Sequence, residues 1–135
     1  MIVLVDTENK MESYISDVNP LAYELIEYSE RPLTLVMPGA KNISPSLISA
    51  DSSVGIRVAK HPFCQQLIQR LRKPLVSTSA NISGKPSPQY FSQIDAEIIS
   101  GVDYVVDVDQ DDMEIKTPST IMKLAPNGSF EFLRK

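Results

Sequence analysis

Two segments of consecutive apolar residues constrain the fold of this chain more than any other feature. They are IVLVD at residues 2–6 and LTLVM at residues 33–37. A strand that is apolar at successive positions, rather than at alternate ones, is typical of a sheet with both faces covered. Between them, residues 20–29 have apolar positions at helical spacing after Pro20, and residues 8–17 are predicted as another short helix. Strands that alternate with helices predict an α/β fold.

The rest of the chain continues this mixture. Further strands are predicted at residues 54–58, 74–80, 102–108, 119–124 and 129–133. Helices are predicted at residues 61–72 and 90–99, and residues 38–53 read as a long surface loop. The turn Pro126-Asn127-Gly128 predicts that the last two strands form a hairpin. Because no repeat or linker interrupts the pattern, residues 1–135 are predicted to form a single domain.

Composition places the chain among ordinary globular proteins. Apolar residues make up 42% and charged residues 22%, which argues against a disordered or collagen-like chain. The single cysteine, Cys64, excludes an internal disulfide, and it falls on an apolar helical stripe with Leu67, Ile68 and Leu71. There is neither a membrane-length apolar run nor a basic-then-apolar leader, so we expect a cytoplasmic protein without a membrane span.

The net charge of −4 conceals an uneven distribution. Residues 103–114 hold six acidic side chains and no Lys or Arg, so thirteen basic residues face only eleven acidic ones elsewhere. A locally basic face is therefore compatible with the acidic total, and a nucleotide or RNA ligand is neither excluded nor required.

Part of the acidic segment 103–114 has the spacing with which a calcium-binding EF-hand loop begins. Asp107, Asp109 and Asp111 have the spacing of the first ligands, but the sixth position is Asp112 instead of Gly and the twelfth is Pro118 instead of Glu. The chain also has only one histidine. We therefore expect no metal site built from its side chains.

The strand VGIRV at residues 54–58 has an informative alternation. Its three branched apolar residues share one side, while Gly55 and Arg57 share the other. Since Gly55 has no side chain, Arg57 is predicted to lie beside an open space.

Polar groups concentrate where PLVSTSA, residues 74–80, runs into the loop NISGKPSP, residues 81–88. If the strand persists, Ser77 and Ser79 point to one side. Further neutral donors follow at Asn81, Ser83, Gly84 and Ser87. Such groups suit an anion, either phosphate or carboxylate. The alternative is that they only satisfy turns and cap helices.

Four elements in order carry a family resemblance: RPLTLVMPG, VGIRV, KPLVSTSANISGKPSP and TPSTI. Together they resemble the YrdC-like family of threonylcarbamoyl-AMP synthases, from Met1 to about Arg134. The resemblance implies an α/β fold in which a twisted, mostly mixed sheet with flanking helices surrounds a concave cavity. It also implies a reaction that combines L-threonine, bicarbonate and ATP into threonylcarbamoyl-AMP and pyrophosphate, for the threonylcarbamoyladenosine modification of tRNA.

The same resemblance implies roles for individual residues. Arg57 is expected to bind the threonine carboxylate, for which a bidentate guanidinium is well suited. The other residues expected near threonine are Ser77 and Ser119. Those expected around ATP are Ser53, Ser79, Ser87 and Arg134. Ser79 and Asn81 form the family's Ser-x-Asn element and are the expected catalytic pair. ATP enters as a substrate, with Mg²⁺, and no tightly bound cofactor is expected.

The chain departs from the family before its first strand. The resemblance implies a Pro-Thr-Glu-Thr-like strand and a Lys-x-Arg element preceding residue 1, and neither is present. We therefore expect an N-terminally truncated member, which leaves open whether this polypeptide completes the reaction. Truncation is expected to expose an apolar sheet edge or face next to the apolar strand 2–6, and to favour a homo-oligomer through the exposed N-terminal edge.

A second function stays open at this point. Five basic residues surround the polar loop in the sequence: Lys60, Arg70, Arg72, Lys73 and Lys85. They predict a basic rim, and with it a non-catalytic module that binds nucleotides or double-stranded RNA. Cations that favour the last turn of a helix explain Arg70, Arg72 and Lys73 equally well.

Overall fold

Six strands form one mixed sheet in the computed structural model, which describes residues 1–135. The strands are β1 (Ile2–Val5), β2 (Leu33–Met37), β3 (Val54–Val58), β4 (Leu75–Ser77), β5 (Thr120–Leu124) and β6 (Phe130–Arg134). Their order in the sheet is β4-β1-β3-β2-β5-β6. The pairs β1–β3 and β2–β5 are parallel, and the other three pairs are antiparallel. The predicted α/β class with a mixed sheet is confirmed.

Four α-helices accompany the sheet: α1 (Met11–Tyr14), α2 (Leu21–Tyr28), α3 (Pro62–Leu71) and α4 (Ala96–Gly101). Short 3₁₀ turns occur at Glu8–Lys10, Pro45–Leu47 and Phe91–Gln93. Pro62 begins α3, and Pro20 immediately precedes α2 as its N-cap residue. Proline fits the start of a helix, where its missing N–H would have no partner within the helix. The helix predicted at residues 8–17 is shorter, since it closes at Ile15 in extended backbone.

The chain divides into two compact units. The first comprises residues 1–77 and 118–135 and contains the whole sheet. The second comprises residues 78–117 and contains α4, whose N-cap Asp95 accepts a hydrogen bond from the backbone N–H of Glu97. That residues 1–135 form a single domain stays a prediction.

The strand predicted at residues 102–108 is wrong. This segment of the second unit has no partner strand, and the alternate apolar residues Val102, Tyr104, Val106 and Val108 are all exposed. A strand needs both a ladder neighbour and a face to bury. An alternating pattern without either of them stays irregular.

The sheet of the first unit has two unlike faces. One face carries the main core, where strand residues such as Val3, Leu35 and Ile56 pack against α1 and α2 residues such as Met11 and Ala22. The other face carries a smaller cluster, built on Leu4, Ala59 and Ile68 with Cys64 and Leu75 beside them. The predicted packing role of Cys64 is confirmed, but Leu67 and Leu71 of the same stripe are exposed.

The predicted exposed edge at the N-terminus is wrong. β1 lies inside the sheet, where β3 pairs with it on one side and β4 on the other. The edges are β4 and β6 instead. Because chain order does not set sheet order, the first strand need not be an edge, and a homo-oligomer through this strand loses its basis.

Candidate functional site

Arg57 projects from β3 on the face opposite the main core. Its register partners are Leu4 on β1 and Thr34 on β2, both of which alternate away from the main core residues. A methyl group built on Gly55 would meet Thr34 Cγ2 at 3.4 Å and Val36 Cγ2 at 3.8 Å, both ordinary contact distances. Glycine therefore leaves room for about one methyl group beside Arg57, a smaller space than its sequence suggested.

The guanidinium of Arg57 is half-buried and makes no hydrogen bond or ion pair with the protein. Burial lowers its pKa; the nearby Cys64 opposes this shift and repulsion from Arg134 adds to it. Arg57 nevertheless stays protonated at physiological pH, because an arginine starts from a very high pKa. A half-buried cation next to a second cation attracts an anion.

Arg134 reaches the same face from the last strand. It lies opposite Ile121 of β5, which is itself opposite Thr34. Its Nε and Nη2 donate to the backbone oxygen of Ser119 at 3.0 and 2.8 Å. The sheet register therefore places Arg57, Thr34, Ile121 and Arg134 in one row across four strands.

Ser119 connects this row through its buried hydroxyl. Its Oγ lies 3.1 Å from Thr34 Oγ1 and 3.3 Å from Arg134 Nη2, and Ser119 is 4% exposed. Thr34 is almost completely buried as well. Buried polar side chains are held in place by their hydrogen bonds. Thr34 and Ser119 are therefore fixed, Thr34 next to Arg57 in the sheet and Ser119 bonded to Arg134.

Ser53 lies just before β3, on the same face as Gly55 and Arg57 by alternation. Its buried hydroxyl donates to Asp51 Oδ1 at 2.5 Å. The other oxygen of Asp51 accepts from Lys123 Nζ of β5 at 2.8 Å. Together they line an open groove of about 460 Å³ above β2, β5 and β6.

Ser77 ends β4 and lies opposite Ile2 of β1. Two residues earlier, Leu75 packs in the smaller cluster, so Ser77 points to the same face as Arg57. The first unit thus brings five of the predicted site residues to one face: Ser53, Arg57, Ser77, Ser119 and Arg134. The strand ends at Ser77, so the alternation expected to align Ser79 with it does not extend that far.

The other three predicted residues belong to the second unit. Asn81 Nδ2 donates to the backbone oxygens of Ile82 and Lys85, and its Oδ1 accepts from Ser87 Oγ at 3.3 Å. Asn81 and Ser87 therefore hold the loop together, which is the turn-forming role that the sequence left open. Ser79 is exposed and makes no such bond.

Within the first unit, the residues of the predicted basic rim are divided between cavities, with Lys60 in one and Arg72 and Lys73 in another. Lys60 Nζ donates to the backbone oxygen of Ser29, and Lys85 is paired with Asp95 within the second unit. Arg72 and Lys73 line a different cavity, at the end of α3. No group of three or more His, Cys, Asp or Glu side chains is arranged to hold a metal ion. None of the four helices has the length and apolarity that a membrane crossing requires.

Sequence reasoning missed Thr34 and Asp51. The signal for Thr34 was a single polar residue inside the buried run LTLVM, where its hydroxyl needs a partner. The signal for Asp51 was its position two residues before Ser53, the spacing at which aspartate bonds its own loop.

These motifs and this sheet agree with comparisons to known proteins. The model of the Sua5/YciO/YrdC family, described as "Telomere recombination", matches residues 1–135. The chain belongs to this family. The resemblance drawn from the sequence is therefore confirmed, and the Sua5/YciO/YrdC fold accounts for the mixed sheet.

Relatives within the Sua5/YciO/YrdC family share about a third of the sequence. A protein of Methanocaldococcus jannaschii assigned to the threonylcarbamoyl-AMP synthases is 37% identical over 90% of this chain and 56% of its own length. A threonylcarbamoyl-AMP synthase of Pseudoalteromonas translucida is 30% identical over 95% of this chain and 68% of its own length. The chain thus spans 56% and 68% of the lengths of these two relatives.

Solved structures give the same result. The crystal structure of P. abyssi Sua5 complexed with L-threonine superposes with a TM-score of 0.77 and 26% identity, over 91% of this chain and 36% of that one. E. coli YciO reaches a TM-score of 0.81 at 20% identity, over 99% of this chain and 64% of its own, which supports the fold alone.

Proposed function

We propose that this chain is part of an L-threonylcarbamoyladenylate synthase and that the face around Arg57 binds the carboxylate of L-threonine. The observation that carries the proposal is the guanidinium of Arg57, which is half-buried and has no protein partner. A carboxylate fits it because two parallel N–H groups match two oxygens. The threonine-bound relative P. abyssi Sua5 supports this ligand.

The neighbouring residues suit a ligand with both a charged and a hydroxyl end. Ser77 and the Ser119–Thr34 pair supply hydroxyl groups on the Arg57 face. A site that hydrogen-bonds a substrate hydroxyl rejects analogues that lack it far better than an apolar pocket does. Threonine, rather than valine, is therefore the amino acid that this face selects.

The proposed reaction is adenylyl transfer. Threonine and bicarbonate first form a carbamate with loss of water, and a carbamate oxygen then attacks the α-phosphorus of ATP while pyrophosphate leaves. Both reactants are anions, so the site must supply oriented donors and positive charge rather than a nucleophile. Within the first unit, Arg134 and Ser53 are the groups we assign to ATP. For the second unit, taken by itself, the ATP role of Ser79 and Ser87 and the catalytic role of Ser79 and Asn81 stay predictions from the sequence.

Mg²⁺ has no site of its own in this proposal. The side chains form no cluster suited to a metal, so they do not fit a resident ion, and Mg²⁺ would arrive on the triphosphate of ATP. The product would serve the modification of tRNA in the cytoplasm.

The test of the threonine site is calorimetric titration of L-threonine into the wild type and the Arg57→Ala variant. Loss of a charge-assisted pair should weaken binding about 10- to 100-fold. Arg70→Ala is the matched control, because Arg70 is an exposed cation of α3 outside the proposed site, and it should bind threonine like the wild type. Equal binding by all three proteins would overturn the assignment.

The test of the reaction is pyrophosphate release from ATP. It should require both L-threonine and bicarbonate, and Arg57→Ala should lose it while Arg70→Ala retains it. If Arg57→Ala weakens threonine binding but the wild type releases no pyrophosphate, the site assignment stands and the claim of catalysis by this chain fails.

A further inference from the structure

A second cavity of the first unit lies at the carboxyl end of β1. It has a volume of about 360 Å³. Its lining comes from the end of β1, from Lys10 and Tyr14, from the last turn of α3 and from the residues between α3 and β4. None of the residues that we assign to threonine or ATP lines it. In α/β sheets, ligands bind outside the carboxyl ends of strands.

The lining of this cavity is basic. Lys10, Arg72 and Lys73 line it, against the single carboxylate of Asp6. None of these four side chains makes a hydrogen bond or ion pair with the protein. All three cations are exposed. In a chain whose net charge is −4, they concentrate positive charge in one concavity, and such a concentration attracts an anion.

Arg72 occupies this position at a conformational cost. It follows α3 with φ 55° and ψ 28°, in the left-handed region, while its N–H donates to the backbone oxygen of Ile68 at 2.8 Å. Glycine is the residue that ends helices in this conformation without strain. A long cationic side chain held there, at the rim of a basic cavity, is the pattern of strain found at functional sites.

We propose that this cavity binds the phosphate group of a small anionic molecule through Lys10, Arg72 and Lys73. Its size falls in the range of small-molecule sites. A nucleic acid fits less well, because the acidic total charge opposes a long polyanion beyond the cavity itself. The proposal does not depend on the function proposed above.

The test is a titration with inorganic pyrophosphate, followed by NMR at the backbone amides of Asp6, Lys10, Arg72 and Lys73. The wild type should show saturable shifts at these amides. Lys73→Gln should weaken this binding about tenfold or more. Arg70→Gln removes the same charge from the same end of α3 but lies outside the cavity lining, so it should leave the affinity unchanged.

Arg72→Gly separates binding from structure. It should raise the melting temperature, because glycine adopts the left-handed conformation without strain, and it should weaken pyrophosphate binding. A role limited to the helix end predicts the first effect without the second, and that result would overturn the proposal.

Two further measurements separate this cavity from the threonine site and a small phosphate ligand from RNA. Arg57→Ala should not change the shifts at the four amides, so a failure of the threonine site stays distinct from a failure of this cavity. A short RNA duplex should not shift them more strongly than pyrophosphate does. Shifts that appear with RNA alone, or amides that pyrophosphate leaves unmoved, would refute a small phosphate ligand.

Discussion

At the scale of single residues, two buried hydroxyl groups that hydrogen-bond each other lie in the row that contains Arg57 and Arg134 or next to it. Thr34 and Ser119 are 85 residues apart in the chain, yet their hydroxyl oxygens lie 3.1 Å apart. Every buried side-chain nitrogen and oxygen has a hydrogen-bond partner. Removing one partner of such a bond destabilises the protein, because the other group stays buried without a hydrogen bond. Removing both partners together destabilises it much less.

This asymmetry predicts the result of a double-mutant cycle. Thr34→Val alone should lower the free energy of unfolding by about 1–2 kcal/mol, because it removes one partner of Ser119. The double variant Thr34→Val with Ser119→Ala should lose about 1 kcal/mol less free energy of unfolding than the sum of the losses in the two single variants. Urea unfolding measures all four proteins, and strictly additive losses would show that the two hydroxyl groups do not interact.

Asp51 predicts a pH dependence. Hydrogen bonds from Lys123, and then from the hydroxyl and N–H of Ser53, hold the pKa of its carboxyl well below the usual 3.8. A lowered pKa in the folded state means that the carboxylate stabilises the fold above its ordinary pKa. The contribution is lost as the pH falls through the lower folded value.

We therefore expect the urea midpoints of the wild type and Asp51→Asn to differ most near neutral pH. The difference should begin to shrink below about pH 4 and continue to shrink as the pH falls further. Raising the salt concentration at pH 7 should shrink the difference too, because the pair with Lys123 is exposed. A difference that stays constant down to acid pH would contradict the account.

At the scale of elements, a clear pattern of apolar residues predicted where a strand begins and ends, but it did not predict which strands are neighbours in the sheet. LTLVM and VGIRV are β2 and β3 with the boundaries that the sequence indicated. The hairpin of β5 and β6 is confirmed too, since Gly128 turns the chain at φ +84° and its N–H donates to the oxygen of Ala125. In contrast, VDYVVDV, residues 102–108, alternates as VGIRV does but has no neighbouring strand to pair with.

The hairpin turn predicts a contrast between two glycines. Gly128→Ala should destabilise the protein by about 1–2 kcal/mol, because alanine is strained in the left-handed region. Gly101→Ala, at the end of α4, places its methyl group in open space without that strain, so it should be neutral or gain up to about 1 kcal/mol. Thermal unfolding tests both, and equal effects would argue against the turn geometry.

At the scale of the whole molecule, protection is unevenly distributed between the two units. β1, β2 and β3 are paired on both sides and contribute most of the main core. Residues 102–117 have neither helix nor strand and expose most of their side chains. Stability within one protein follows such differences in burial and hydrogen bonding.

Hydrogen exchange should show this division directly. Amides of β1, β2 and β3 should exchange slowest, while residues 102–117 should exchange close to the rate of an unstructured peptide. Mass spectrometry of peptides from both regions measures the contrast. Strong protection across 102–117 would mean that this segment pairs in a way the structure does not contain.

The sequence alone determined the type of most elements and the side of β3 on which Arg57 lies, because both follow from local periodicity that needs no partner. It also indicated the family, through motifs kept in order along the chain. Only the tertiary structure decided that β1 is internal, that Ser119 joins Thr34 to Arg134, and that Asp51 holds Ser53. The sheet order and the Thr34–Ser119 hydrogen bond both join segments that are far apart in the chain. They depend on which distant strands become neighbours in the folded protein. A short stretch of sequence does not contain that information.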